Sequence, residues 1–163
     1  MPDRHGSSVV EYPSELEILT TRKFDAPLQL VFDVLTQPEH VRNWFAPFND
    51  RVTECSIDLR VGGSYHIVSE TPDGKECSFR GTYIEIEPPT RTVATWLFEG
   101  WPDAHAVETV HLHESDGVTT MTMKLAFQDA AGRAHMKTTD GQEDSFNKLE
   151  DYLRSLVEQG VTA

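Results

Sequence analysis

Cysteine is scarce: Cys55 and Cys77 are the two in 163 residues. That count does not support a disulfide framework and suits a reducing cytosol. The pair can still meet across neighbouring strands, although two small half-buried side chains is the plainer reading. Long apolar runs are also missing. No stretch reaches the length a bilayer span needs, and the amino terminus, with Pro2, Gly6, Ser7, Ser8 and Pro13, lacks the apolar centre of a signal peptide. A flexible tail over residues 1–15 on a cytoplasmic protein is expected, without membrane insertion.

Positive charge is in short supply. Fourteen Lys and Arg face 27 Asp and Glu, a formal charge of −13. Phosphate backbones and anionic membrane surfaces are repelled by such a balance. No basic patch with interleaved aromatics offsets it, so nucleic acid is not expected as a partner. Solubility is the simplest use of the excess acid.

The sequence carries no H-E-x-x-H, no G-x-S-x-G, no phosphate-binding glycine loop and no dinucleotide fingerprint. Neither cysteine has a neighbouring histidine to make it a nucleophile. Catalytic residues are therefore unassigned, and neither cofactor nor metal is expected. His111 and His113 share one strand face at i,i+2, but opposite Val110 and Leu112 and so outward. With His66 available only from an adjacent strand, they fall short of a metal-ligand set.

What is present reads as one α+β domain over 16–159, a size at which about 70% of the unfolded surface can be buried. Leu16 to Phe24 alternates as a half-buried strand. Pro27 then suits a helix start, and Leu28, Val31, Val34 and Leu35 make one apolar face. Thr36 and Glu39 have capping-box spacing for a second short helix. Six strands follow, Val52–Leu59, Ser64–Ser69, Cys77–Ile86, Arg91–Phe98, Ala106–His113 and Val118–Phe127, separated by turn residues such as Gly62-Gly63, Pro72-Asp73-Gly74 and Asp116-Gly117. Short turns between consecutive strands imply an antiparallel meander. Last comes a long helix in which Phe146, Leu149, Leu153 and Leu156 form the apolar stripe. Glu143, Asp144, Lys148, Glu150, Asp151 and Arg154 lie elsewhere on its wheel. Asp140 and Glu143 resemble a capping box, and Gly160 is a stop.

Three fragments, in order, carry a family likeness: Phe24-Asp25-Ala26-Pro27 running through Val31-Phe32 to Asn43-Trp44-Phe45; Asp58-Leu59-Arg60-Val61-Gly62-Gly63-Ser64-Tyr65; and Gly81-Thr82-Tyr83-Ile84-Glu85-Ile86-Glu87-Pro88-Pro89-Thr90-Arg91 followed by Thr95-Trp96. Together they resemble the SRPBCC (START-like, Bet v 1-like) superfamily, in its branch similar to the activator of heat-shock chaperone ATPase, over roughly residues 16–156. The resemblance implies a helix-grip fold, a curved antiparallel sheet wrapped around the last helix, with two short helices after the first strand. It also implies a sheet–helix space that holds an apolar ligand in related proteins.

Alternation places Met121, Met123 and Leu125 on the helix-facing side, and Glu108, Val110 and Leu112 likewise on the strand before. Phe146 and Leu149 approach from the helix, while Trp44, Phe45 and Phe48 are expected near a mouth. Tyr65, Tyr83, Trp96 and Trp101 each combine a large apolar body with a polar handle. Ordinary core packing is the competing reading for every one of them. Gln142 falls on the apolar stripe where relatives commonly carry a Gly-Trp pair, so it either meets a ligand or lies in an exposed first turn. A buried Glu108 would have a raised pKa, which suits acid–base work. Arg60, Asp58 and the glycines after them read as scaffold.

Three functions follow. A carrier of a small, largely apolar molecule comes first; a cyclase/aromatase- or hydrolase-like enzyme using general acid–base chemistry comes second; a chaperone-interaction module comes third. A homodimer through an edge strand or the aromatic mouth is left open.

Overall fold

Strand alternation and one apolar helix stripe generate the architecture. A computed structural model of the protein describes residues 3–100, 105–137 and 141–161. The order is β1 (Val9–Glu11), β2 (Glu17–Phe24), α1 (Leu28–Thr36), α2 (Pro38–Val41), β3 (Arg51–Ile57), β4 (Ser64–Glu70), β5 (Glu76–Glu87), β6 (Arg91–Phe98), β7 (Ala106–Ser115), β8 (Val118–Phe127), α3 (Ala130–Lys137) and α4 (Gly141–Glu158). The strands form one curved, unclosed antiparallel sheet in the order β1-β2-β8-β7-β6-β5-β4-β3. This is the helix-grip arrangement expected from the sequence.

Residues of β2 alternate in burial, with Ile18, Thr20, Arg22 and Phe24 all turned inward. On β8 the inward set is Thr119, Met121, Met123 and Leu125. Helix α4 lays Phe146, Leu149, Leu153 and Leu156 against this face, and α1 adds Leu30, Val31 and Val34. Burial of a large apolar side chain contributes roughly 1.5–3 kcal/mol, so this layer carries the core. Gly160, at φ 83°, ends α4 in the left-handed conformation that glycine tolerates.

Several local expectations need correction. The N-cap of α2 is Gln37 rather than Thr36, and no side chain caps it. The Thr36 hydroxyl donates instead to the Phe32 carbonyl at 2.7 Å, closing the end of α1. Helix α3, between β8 and α4, is not among the elements expected from the sequence. The segment expected as a tail supplies β1, paired with β2 through Val9–Thr21 and Val10–Thr20. Arg4 and His5 lie ahead of it, bonded to Asp25 and Asp151. Glu150, expected on the solvated side of α4, is buried. Asp140 and Trp101 lie outside the described residues.

Glycine is required at one point of the third fragment. A Cβ on Gly81 would stand 1.9 Å from the Thr95 carbonyl oxygen and 2.8 Å from the Tyr65 ring. The ladder is irregular here, and the Thr82 N–H bonds the Thr95 hydroxyl at 2.8 Å. Alanine at 81 forces β5 from β6, so Gly81→Ala is expected to lose about 2–3 kcal/mol in urea unfolding, the overpacking range. A loss below about 0.5 kcal/mol would show that the strands part freely.

Candidate functional site

Register across the sheet builds the site in parallel rows. Thr92 of β6 faces Val110 of β7, which faces Met123 of β8. One row along, Tyr83 of β5 faces Ala94 of β6, and Ala94 faces Glu108 of β7. Two residues further, Trp96 pairs with Ala106. Between large neighbours Ala94 leaves space, because a methyl stands where Tyr83 and Glu108 flank it. Above these rows α1 and α2 bring Phe32, Leu35, Thr36 and Val41, with Trp44 and Phe45 following.

The result is a cavity of about 110 Å³ between the sheet and the short helices. Its volume is below the roughly 150 Å³ of an apolar void that accepts benzene, and well below the ~300 Å³ of the smallest drug-sized pockets. An occupant must therefore be small or extend towards solvent.

Eight of the twelve residues chosen from sequence line it: Trp44, Phe45, Tyr65, Tyr83, Trp96, Glu108, Val110 and Met123. Four do not. Met121 and Phe146 are buried in the core between sheet and α4. Phe48 is exposed, with φ 53°. Gln142 is half-buried, and its Oε1 accepts from the Thr20 hydroxyl at 3.1 Å while its Nε2 lies 3.6 Å from the Met123 sulfur. It ties α4 to β2 and β8 rather than meeting the cavity. Cys55 and Cys77 are half-buried free thiols, and His111 and His113 are exposed on the outer face.

The sequence reading missed the wall from α1 and α2 and, on the sheet, Ile57, Ile67, Phe79, Arg91, Thr92 and Ala94. Alternation on β6 was the available signal, since Thr92, Ala94 and Trp96 share a face. Phe79 joins rings that no single strand reveals. Trp44–Phe45, Phe45–Phe79 and Phe79–Trp96 have centroids 5.8, 5.4 and 5.7 Å apart, making one continuous aromatic wall. Tyr65 and Tyr83 form a second pair at 5.8 Å.

Polar groups are few and mostly committed. Trp44 Nε1 donates to the Val34 carbonyl at 3.0 Å. Tyr65 donates its hydroxyl to the Thr95 carbonyl at 3.3 Å. Arg91 is pinned by Glu85. Glu108 differs: its carboxyl has neither hydrogen bond nor ion pair among the described residues. Burial pushes its pKa up to about 7, because a charge in an apolar enclosure loses hydration that nothing replaces. Burial and then the nearby Glu108 charge raise both Tyr65 and Tyr83, so the phenols stay protonated.

A family model described as "Activator of Hsp90 ATPase homolog 1-like protein" matches residues 25–154. Among solved structures, a Rhodobacter sphaeroides protein aligns with TM-score 0.84 at 22% identity, over 91% of this chain and 99% of its own. One from Nitrosomonas europaea gives 0.78 at 22%, over 92% and 100%. A Staphylococcus epidermidis protein gives 0.75 at 26%, over 90% and 94%. No curated protein matches the chain.

Proposed function

The chain belongs to the Activator of Hsp90 ATPase homolog 1-like family, and from that premise we propose that it binds a small, largely apolar molecule in the cavity under α1 and α2. One observation carries the reading. An aromatic and aliphatic enclosure surrounds a carboxyl that no group among the described residues satisfies, and an unsatisfied polar group in an apolar enclosure is costly unless something else partners it. The ligand-binding residues proposed are Trp44, Phe45, Tyr65, Tyr83, Trp96, Glu108, Val110 and Met123. The packed groups Met121 and Phe146 support them from behind. No helix among the described residues is long and apolar enough to cross a membrane.

Native mass spectrometry of protein purified gently from its host tests this. An additional mass on the order of 100 Da, suited to a cavity somewhat smaller than the void that accepts benzene, is expected on the folded protein and not after denaturation. Ala94→Leu fills the gap between Tyr83 and Glu108 and is expected to abolish it. The same bound mass on Ala94→Leu would place the ligand elsewhere and sink the reading.

Glu108 also favours a second reading, general acid–base catalysis on a bound carbonyl compound. A carboxyl titrating near 7 is poised to exchange protons at neutral pH, and the neutral phenol of Tyr83 is a donor for a developing oxyanion. Turnover that survives Glu108→Gln would dismiss this assignment. A chaperone partner rests on the family description alone.

A further inference from the structure

We infer that the occupant of the cavity is a small organic amine, its ammonium seated on the Glu108 carboxylate and its apolar body against the aromatic wall. The inference rests on the binding reading above and narrows it to a chemical class.

The lining discriminates among ligand charges. A carboxylate or phosphate would meet Glu108 without a free cation among the described lining residues to compensate, because Arg91 is held by Glu85. A neutral acceptor finds the Tyr83 phenol but few other donors, because Tyr65 is engaged with Thr95 and Thr36 with Phe32. An ammonium supplies what Glu108 lacks, a charged donor. Tyr65, Tyr83 and Trp96 add ring surfaces that attract cations. The wider charge acts in the same sense, since −13 on this chain concentrates cations around it.

Protonation separates this class from a neutral one. The titratable side chains lining the cavity are Glu108 on β7, Tyr65 on β4, Tyr83 on β5 and Arg91 on β6. Cys55 on β3 stands behind Tyr83, its thiol pushed up by burial. Both phenols stay neutral, which leaves Glu108 to titrate near neutrality. An ammonium needs it ionised; a carbonyl or alcohol acceptor needs it protonated.

The test is an NMR titration of the full chain with two matched pairs, isobutylamine against isobutanol and benzylamine against benzyl alcohol. Each pair runs at pH 8 and pH 6 on the parent and on Glu108→Gln, with thermal melts to establish that the variant is folded. At pH 8 the parent is expected to bind the amine of at least one pair tenfold or more tighter than its alcohol, with cavity resonances of Met123 and Ala94 shifting. That preference should shrink at pH 6 and vanish in Glu108→Gln, while alcohol binding persists. Alcohol binding equal to or tighter than amine binding at pH 8 overturns the amine inference and leaves the cavity reading standing. Failure of all four compounds to shift cavity resonances overturns both.

Discussion

Glu150→Gln is expected to lower the unfolding free energy by about 3–5 kcal/mol, the range for removing one partner of a buried ion pair. Arg22 projects from the inner face of β2 with its side chain fully buried, and Glu150 meets it from α4 at 2.9 Å with 5% of its side chain exposed. This is an ion contact without the alignment of a hydrogen bond, since Glu150 Oε1 has no hydrogen-bond partner among the described residues. Asn147 Oδ1 and the Lys23 carbonyl accept from the guanidinium at 3.0 and 3.1 Å. Glu150 Oε2 accepts from the Arg4 N–H at 3.0 Å and from Arg154 at 3.1 Å. Glutamine keeps the shape and removes the charge, leaving a buried guanidinium whose remaining ionic contact is Glu143 at 3.5 Å.

Two controls make the argument specific. Arg22→Met with Glu150→Leu removes both charges and is expected to stay within about 2 kcal/mol of the parent, because apolar replacements of a buried pair are often neutral or better. Hydrogen exchange at Gly6 and Ser8 should rise in Glu150→Gln, because their amides bond the neighbouring Asn147 and Glu143. A Glu150→Gln loss under about 1 kcal/mol in denaturant unfolding would show that water or a rearranged partner already screens Arg22.

That ionic cluster marks where the sequence stopped being readable. Periodicity located α1 and α4 and, with the turn residues, every strand from β2 to β8, because each buries one face and burial leaves a period; α2 came from capping-box spacing. It also set Glu108, Val110 and Met123 on the cavity side. Arg22 occupies an inward position of β2 by the same alternation, yet a charged residue there does not announce its partner across 128 positions. Glu150 sits on the flank of the α4 stripe, and whether a flank is wet depends on what covers it. Here the cover is the segment from Arg4 to Glu11, whose polar composition reads as a tail. Gln142 and Phe146 fail as cavity residues for a related reason: the stripe of α4 packs against β2 and β8, while the space opens beside it under α1 and α2. Helix periodicity identifies the buried face but not which side of the sheet's curve it fills.

Glu108→Gln is expected to flatten part of the pH dependence of stability and to make the unliganded protein more stable at pH 8. The unfolded carboxyl releases its proton near the ordinary 4.5, whereas burial holds it in the folded protein to about 7. Between those values the folded state binds a proton that the unfolded state has lost, so stability falls as pH rises. The contribution is fully present below 4.5, declines through 7 and is constant above it. At ~1.4 kcal/mol for each pH unit the whole effect is about 3 kcal/mol, and partial contact with cavity water reduces it. His5 acts in the same direction, since its hydrogen bond to Asp151 raises its pKa and that stabilisation is also lost as pH rises through the folded value. The difference between parent and variant isolates Glu108, because His5 titrates alike in both. Unfolding from pH 4.5 to pH 8.5 is therefore expected to give curves that meet at the acid end and separate by up to about 3 kcal/mol at the alkaline end, glutamine above. Parallel curves would mean that Glu108 is ionised and partnered throughout, and would remove the unsatisfied carboxyl on which the ligand argument stands. A saturating amine should close the gap from the parent's side by supplying the missing charge; a neutral ligand should not.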